Sequence, residues 1–117
     1  MILTKRIYGY EDNDKYYKVF VDRLWPRGIS KSEAIWNEWI KEIAPGKKLR
    51  KWFGHKPENW NEFKNKYKIE LTQKPNETNR IKDIEKRYGT VVLLYASRDQ
   101  EHNNANIIKE YLSENIL

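Results

Sequence analysis

The unbroken apolar run VVLLYA at residues 91–96 constrains the fold of this chain more than any other feature. A strand with one face in solvent alternates apolar and polar residues, whereas a continuous run is typical of a strand covered on both faces. Such strands occur mainly in parallel sheets that helices cover on both sides. The run therefore predicts a buried strand over residues 90–96 in an α/β protein.

Two further segments have the composition of strands. Residues 2–8 and 16–23 are rich in β-branched and aromatic side chains, and a turn with several Asp and Asn residues separates them. Strands and helices alternate in the second half of the chain. The predicted class is therefore α/β, a compact three-layer sandwich with a mostly parallel sheet of about four strands covered by helices. A length of 117 residues predicts a single domain, 1–117.

Apolar residues at three- and four-residue steps predict four helices. These cover residues 47–53, residues 57–71, residues 76–88 and the segment that follows Asp99. Gly54 and Gly89 are predicted to end two of them, because glycine adopts the left-handed conformation of a helix end. Asn76 and Asp99 are the predicted N-caps of the last two.

The segment 30–45 allows two interpretations. Its apolar residues follow helical spacing between Ile35 and Ile43, and Ser30 with Glu33 would form a capping box. The alternation over residues 34–40 fits a strand less well. Periodicity alone therefore predicts a helix.

Two polar clusters follow predicted strands directly. One is DRLWPRG at residues 22–28, and the other is SRDQEH at residues 97–102. In α/β proteins ligands bind in the crevice beyond the carboxyl ends of the strands. The two clusters therefore predict one site, without naming a reaction.

The residue types in these clusters and in the glycine-containing loop at 53–57 favour a small anionic ligand. Guanidinium groups hold phosphate or carboxylate in a bidentate manner, and helix N-termini favour anions. The candidate ligand-binding residues are Arg23, Arg27, Arg98 and His102. Histidine paired with a carboxylic acid suits proton transfer. The candidate catalytic residues are His55, Asp22 and Glu101. The first hypothesis is thus an enzyme or a binding protein for a phosphorylated or nucleotide-like ligand.

Each of these residues also has a structural interpretation. Asp22 can pair with an arginine while Trp25 packs into the core. Asp99 can cap a helix, and a loop histidine such as His55 is more often a surface residue. A third possibility, a protein-interaction domain, predicts a large exposed aromatic patch.

Several functional classes are excluded by what the sequence lacks. The chain has no cysteine, which excludes a disulfide framework, a thiolate nucleophile and a cysteine zinc site. It also has no glycine-rich phosphate loop, nucleophile elbow or metal-ligand spacing. We therefore expect no metal and no cofactor. Its first residues resemble neither a secretory signal nor a membrane span, so we expect a cytoplasmic protein without a membrane partner.

The charge distribution supports an alternative hypothesis, a nucleic-acid-binding module. The chain has a formal net charge of +6, and residues 47–68 contain eight Lys or Arg against two Glu, so that segment holds the whole excess. Lysines interleaved with an aromatic ring attract a phosphate backbone while the ring stacks on a base. The candidate residues are Lys47, Lys48, Arg50, Lys51, Trp52 and Lys56. The structural alternative is a solvated helix surface with Trp52 buried.

Three motifs carry a family resemblance. They are VDRLWPRG at 21–28, LRKWFGH at 49–55 and LYASRDQEHN at 94–103. In this order and spacing the chain resembles the YeaO-like branch of the domain of unknown function 488 family, over about residues 3–113. The resemblance implies a compact α/β domain with an unassigned biochemical role, and it implies a strand over 34–40. Longer relatives carry a Cys-His-Arg element near the last strand where this chain has HNNA at 102–105, so the resemblance transfers no thiol chemistry.

Overall fold

A computed structural model describes residues 1–12 and 15–114 of the protein. The strands are β1 (Ile2–Arg6), β2 (Tyr17–Phe20), β3 (Glu38–Trp39) and β4 (Val91–Tyr95). The α-helices are α1 (Lys47–Phe53), α2 (Trp60–Thr72), α3 (Pro75–Tyr88) and α4 (Asn104–Glu114). Single 3₁₀ turns occur at Lys31–Glu33, Lys41–Ile43 and Pro57–Asn59.

The four strands form one parallel sheet in the order β1-β4-β2-β3. Leu93 at the centre of β4 is in register with Thr4 of β1 and Val19 of β2. All five residues of β4 are buried, as the continuous apolar run predicts. The predicted α/β class with a parallel sheet of about four strands is therefore confirmed; the single-domain organisation over 1–117 stays a prediction.

The two faces of the sheet are covered differently. Alternate residues of β4 point to opposite faces, because side chains alternate along a strand. Val91, Leu93 and Tyr95 pack in a cluster to which all four helices contribute. Val92 and Leu94 instead pack against the aromatic loops that follow β1 and β2. The helices thus cover one face of the sheet, and loops cover the other.

The segment 30–45 is not a helix. Residues 31–33 and 41–43 are single 3₁₀ turns, and β3 pairs with β2 through a hydrogen bond from the Ile40 N–H to the Phe20 carbonyl at 3.0 Å. The strand that the resemblance implies over 34–40 is present over Glu38–Trp39. The helical spacing arises without a helix because the apolar residues of this segment pack on both faces of the sheet. Trp36 stacks on Phe20 with ring centroids 4.8 Å apart, whereas Ile43 enters the helix-covered core.

Helix ends agree with the glycine predictions and differ from the predicted N-caps. Gly54 and Gly89 end α1 and α3 with φ of 55° and 83°. Lys74 rather than Asn76 is the N-cap of α3, and Pro75 takes the first helical position, which suits a proline. Asn103 rather than Asp99 caps α4, because its Oδ1 accepts the Asn106 N–H at 3.0 Å. Among the described residues no helix has the length and apolarity to span a membrane.

Candidate functional site

A cleft of about 560 Å³ lies beyond the carboxyl ends of β2 and β4. We call it the strand-end cleft. Its walls come from the segment after β2 (22–27), the segments after β4 (96–97 and 102–104), and helices α1 and α2 with the loop between them. Because β2 and β4 are neighbours in the sheet, the two polar clusters meet at one edge, as the sequence predicts.

Asp22 ties the two strand ends together. Its Oδ2 accepts the Ala96 N–H at 3.0 Å, directly after β4. From the same region Asn104 donates its Nδ2 hydrogen to the Val21 carbonyl at 3.0 Å. Burial raises the pKa of the Asp22 carboxyl, and the hydrogen bonds from Ala96 and Asn104 and the positive charge of Arg50 oppose that rise. Asp22 therefore has a clear structural role in the cleft wall.

Arg50 is a cleft residue that the sequence analysis did not assign to this site. It lines the cleft, and its Nε is the one buried side-chain nitrogen or oxygen in the described part of the chain that has no hydrogen-bond partner. Sequence reasoning assigned it to the nucleic-acid surface because of its lysine neighbours. A signal was present in the spacing: Arg50 is three residues before the buried Phe53 and so shares its side of α1.

Arg23 and Arg27, which the sequence predicts to bind the ligand, differ in whether their guanidinium groups already have partners within the protein. Arg23 donates to Glu42 Oε2 at 3.2 Å and to the Ala44 carbonyl at 3.3 Å, so it braces the cleft wall. The exposed Arg27 also lines the cleft. Within residues 1–12 and 15–114, its guanidinium has no hydrogen bond or ion pair, while its carbonyl accepts the Tyr8 hydroxyl at 2.7 Å. Arg27 is therefore available to a ligand.

A second hollow of about 460 Å³ adjoins the cleft and holds the remaining predicted ligand residues. His55, Arg98 and His102 line it. His102 Nδ1 lies 2.9 Å from Asp99 Oδ2, and the His102 ring meets Trp60 edge-on at 4.9 Å between centroids. Hydrogen bonds from the His102 backbone and ring and from the Glu101 N–H lower the pKa of Asp99 to about 2. Asp99 thus fixes the orientation of the His102 ring.

Of the three candidate catalytic residues, Asp22 and His55 line the cleft, whereas Glu101 does not. The Glu101 side chain is exposed and lines neither hollow. His55 is the one described non-glycine residue with a positive φ, at 56°. Such a conformation costs of order 1 kcal/mol for a side-chain-bearing residue and often marks a functional position. The structure therefore places one strained histidine and one half-buried carboxylate in the cleft.

The basic segment, residues 47–68, divides into a residue that lines the cleft and residues that lie outside it. Arg50 enters the cleft, while Lys47, Lys48, Lys51 and Lys56 are exposed outside it. Trp52 is 38% exposed, so it is not the buried residue of the structural alternative. The Nζ of Lys66 lies 4.3 Å from the centroid of its ring.

Part of the charge of this segment is balanced by α4. Lys64 and Lys68 both lie 3.4 Å from Glu110 Oε2, and Lys68 also pairs with Glu114 at 2.5 Å. The exposed excess is therefore smaller than the net charge of residues 47–68 indicates. No group of three or more His, Asp or Glu in the described residues is arranged to hold a metal ion.

Curated relatives match the chain along nearly all of its length. The protein is 37% identical over 111 residues to the uncharacterized protein YeaO of Escherichia coli strain K12, covering 95% of this chain and 96% of that protein. It is 33% identical over 114 residues to the uncharacterized proteins Mb3100c of Mycobacterium bovis and Rv3073c of Mycobacterium tuberculosis strain H37Rv. These alignments cover 96% of this chain and 93% of each relative.

No solved structure matches the chain. A family model described as "Inactive DUF488-N3 subclade" matches residues 1–117. This match covers the three motifs that carry the resemblance in the sequence, and it confirms that resemblance. The chain therefore belongs to the DUF488-N3i family, the subclade described as inactive DUF488-N3.

Proposed function

We propose that the protein binds a small anionic ligand in the strand-end cleft, with Arg50 and Arg27 as its cationic contacts. The observation that supports this most directly is the buried Arg50 Nε without a partner. Leaving a buried donor without a hydrogen bond costs about 1–3 kcal/mol, more for a charged group. Arg50 lines the cleft, so an acceptor on a ligand bound there would give this donor a partner.

The contacts of Asp22 favour binding over catalysis. Its Oδ2 is occupied by the Ala96 N–H, and its charge balances that of Arg50. The word "inactive" in the description of the family model agrees with this interpretation. In this proposal the histidines His55 and His102 provide further hydrogen bonds to the ligand and no proton-transfer step.

A ligand screen tests the proposal. The melting temperature is measured with inorganic phosphate, pyrophosphate, sugar phosphates, nucleoside monophosphates and dicarboxylates, each against sodium chloride of the same ionic strength. A ligand present at about 100 times its Kd stabilises the native state by about 2.7 kcal/mol, which raises the melting temperature by several degrees. If no anion exceeds the chloride control, the proposal is wrong.

Nucleic-acid binding is the second candidate function, and the half-exposed Trp52 beside the α1 lysines favours it. For this candidate we expect the affinity for a single-stranded oligonucleotide to fall steeply with salt. The slope is about −0.7 per neutralised phosphate, so about three contacts give a slope near −2. A filter-binding salt series measures it, and a flat response or no binding contradicts it.

A further inference from the structure

The rim of the strand-end cleft carries exposed apolar side chains beside its cationic contacts. Leu24 is 70% exposed and Trp25 is 38% exposed, and both line the cleft. They are sequence neighbours, whereas the other large exposed hydrophobic residues of the described chain are scattered. Exposed apolar surface grouped inside a concave site is typical of a ligand-binding surface.

Trp25 is held in one orientation by the protein. Its Nε1 donates to the Ile29 carbonyl at 2.5 Å, so the polar edge of the indole needs no partner from a ligand. Trp36 and Trp39 contact the ring in edge-on geometry, with centroids 5.0 and 5.8 Å away. Trp25 is also one of the residues that line the cleft. A tryptophan fixed in this way is pre-organised, so it loses little conformational entropy when a planar group packs on it.

Further aromatic side chains line the same cleft. Phe53 and Phe63 stack with centroids 4.4 Å apart, and Trp60 packs on Phe63 at 5.8 Å. All three belong to the cleft wall together with Arg50. The cleft therefore combines aromatic surface with a guanidinium whose Nε has no hydrogen-bond partner. Its volume of about 560 Å³ lies within the range of pockets that hold whole cofactor-sized molecules, and exceeds what a bare inorganic anion requires.

We propose that the ligand of the strand-end cleft is a nucleoside monophosphate, with its phosphate on Arg50 and its base packed on Trp25. This inference rests on the proposed anion-binding function and specifies its ligand class. Stacking on an aromatic side chain strengthens binding by about tenfold or more per base. A purely anionic ligand would leave the Trp25 surface in water.

Calorimetric titrations of the wild-type chain with a nucleoside 5′-monophosphate, ribose 5-phosphate and the free nucleoside test this inference. We expect the nucleotide to bind about tenfold more tightly than ribose 5-phosphate. Equal affinity for the two phosphates would overturn the inference while leaving the anion-binding proposal intact. If neither phosphate binds, the inference is wrong, and the anion-binding proposal fails with it only if no other anion of the ligand screen exceeds the chloride control.

Two tryptophan variants locate the base. Trp25→Leu is expected to remove the tenfold advantage of the nucleotide and to leave the Kd of ribose 5-phosphate within about twofold. Trp52→Leu, at a tryptophan of the same 38% exposure outside the cleft, is expected to change neither constant. An advantage that survives Trp25→Leu, or that is lost with Trp52→Leu, overturns the placement. If Trp25→Leu does not fold, Trp25→Phe replaces it, with an intermediate loss expected.

Discussion

Arg50→Met is expected to weaken anion binding by about 10- to 100-fold, which corresponds to about 1.4–2.8 kcal/mol. Hydrogen bonds to a charged group contribute about 1.5–3 kcal/mol each, and the Arg50 Nε has no partner within the described part of the chain. Isothermal titration calorimetry with the best anion from the ligand screen measures the loss.

The same substitution is expected to change the free energy of unfolding by less than about 1 kcal/mol. Removing a buried donor without a partner relieves a cost, while the loss of the positive charge near Asp22 adds one. Chemical denaturation with the linear extrapolation method measures the difference. A large destabilisation would show instead that Arg50 is a structural residue.

Two variants of α1 serve as controls for charge and for geometry. Lys51→Met removes the same unit of charge from the adjacent, exposed residue outside the cleft, and we expect it to change the Kd by less than about twofold. Arg50→Lys keeps the charge and loses the planar fork, so its affinity is expected to fall between those of the wild type and Arg50→Met. If Lys51→Met weakens binding as much as Arg50→Met, the anion responds to the general field of α1 and does not occupy the cleft.

The sheet could be predicted from the sequence where a residue pattern is compatible with only one kind of structure. The run at 91–96 has no polar face, so both faces of the strand must be covered, and β4 is indeed buried throughout. Residues 30–45 have no such unique solution. Their aromatic residues and Ile35 pack on one face of the sheet, and Ile40 and Ile43 enter the core on the other, so helical spacing arises without a helix. Periodicity cannot distinguish these cases, because it does not reveal which partners a residue has.

The site was predictable to the extent that the topology determines it. Polar residues after β2 and β4 were expected to meet because the ends of neighbouring parallel strands share an edge, and Asp22 contacts the Ala96 N–H there. Arg23 and Arg50 show where this reasoning stops. Both are arginines near the cleft, but Arg23 is bound by Glu42 and the Ala44 carbonyl, whereas the Arg50 Nε has no partner. Whether an arginine is paired within the protein depends on residues distant from it in the sequence. The local sequence therefore does not show which arginine lacks a partner.

Asp22 places a carboxylate in the wall of the cleft that we propose to hold an anion. Asp22→Asn is expected to strengthen anion binding by about tenfold. At a separation of about 10 Å and an effective dielectric constant of about 20, two negative charges repel by about 1.7 kcal/mol. The amide oxygen of asparagine can still accept the Ala96 N–H, so the strand ends remain joined.

The pKa of Asp22 also predicts how the effect of Asp22→Asn on the free energy of unfolding depends on pH. Burial raises this pKa above that of the unfolded chain, so the folded state binds the proton more tightly and the ionised carboxylate costs stability at neutral pH. Asp22→Asn is therefore expected to raise the free energy of unfolding at pH 7. The gain shrinks as the pH falls through the folded pKa of Asp22 and is absent below the unfolded value. Denaturation at several pH values measures it.

Sulfate, which keeps its charge over this pH range, separates the effect of Asp22 from ligand titration. In the wild type its affinity is expected to rise as Asp22 takes up a proton, and Asp22→Asn should remove the contribution of Asp22 to that rise. Asp83→Asn, at an exposed carboxylate of α3 outside the cleft, is the matched control and should leave the profile unchanged. If Asp22→Asn weakens binding, Asp22 contacts the ligand directly, and its role in the cleft is that of a ligand-binding or catalytic group and not a counter-charge to Arg50.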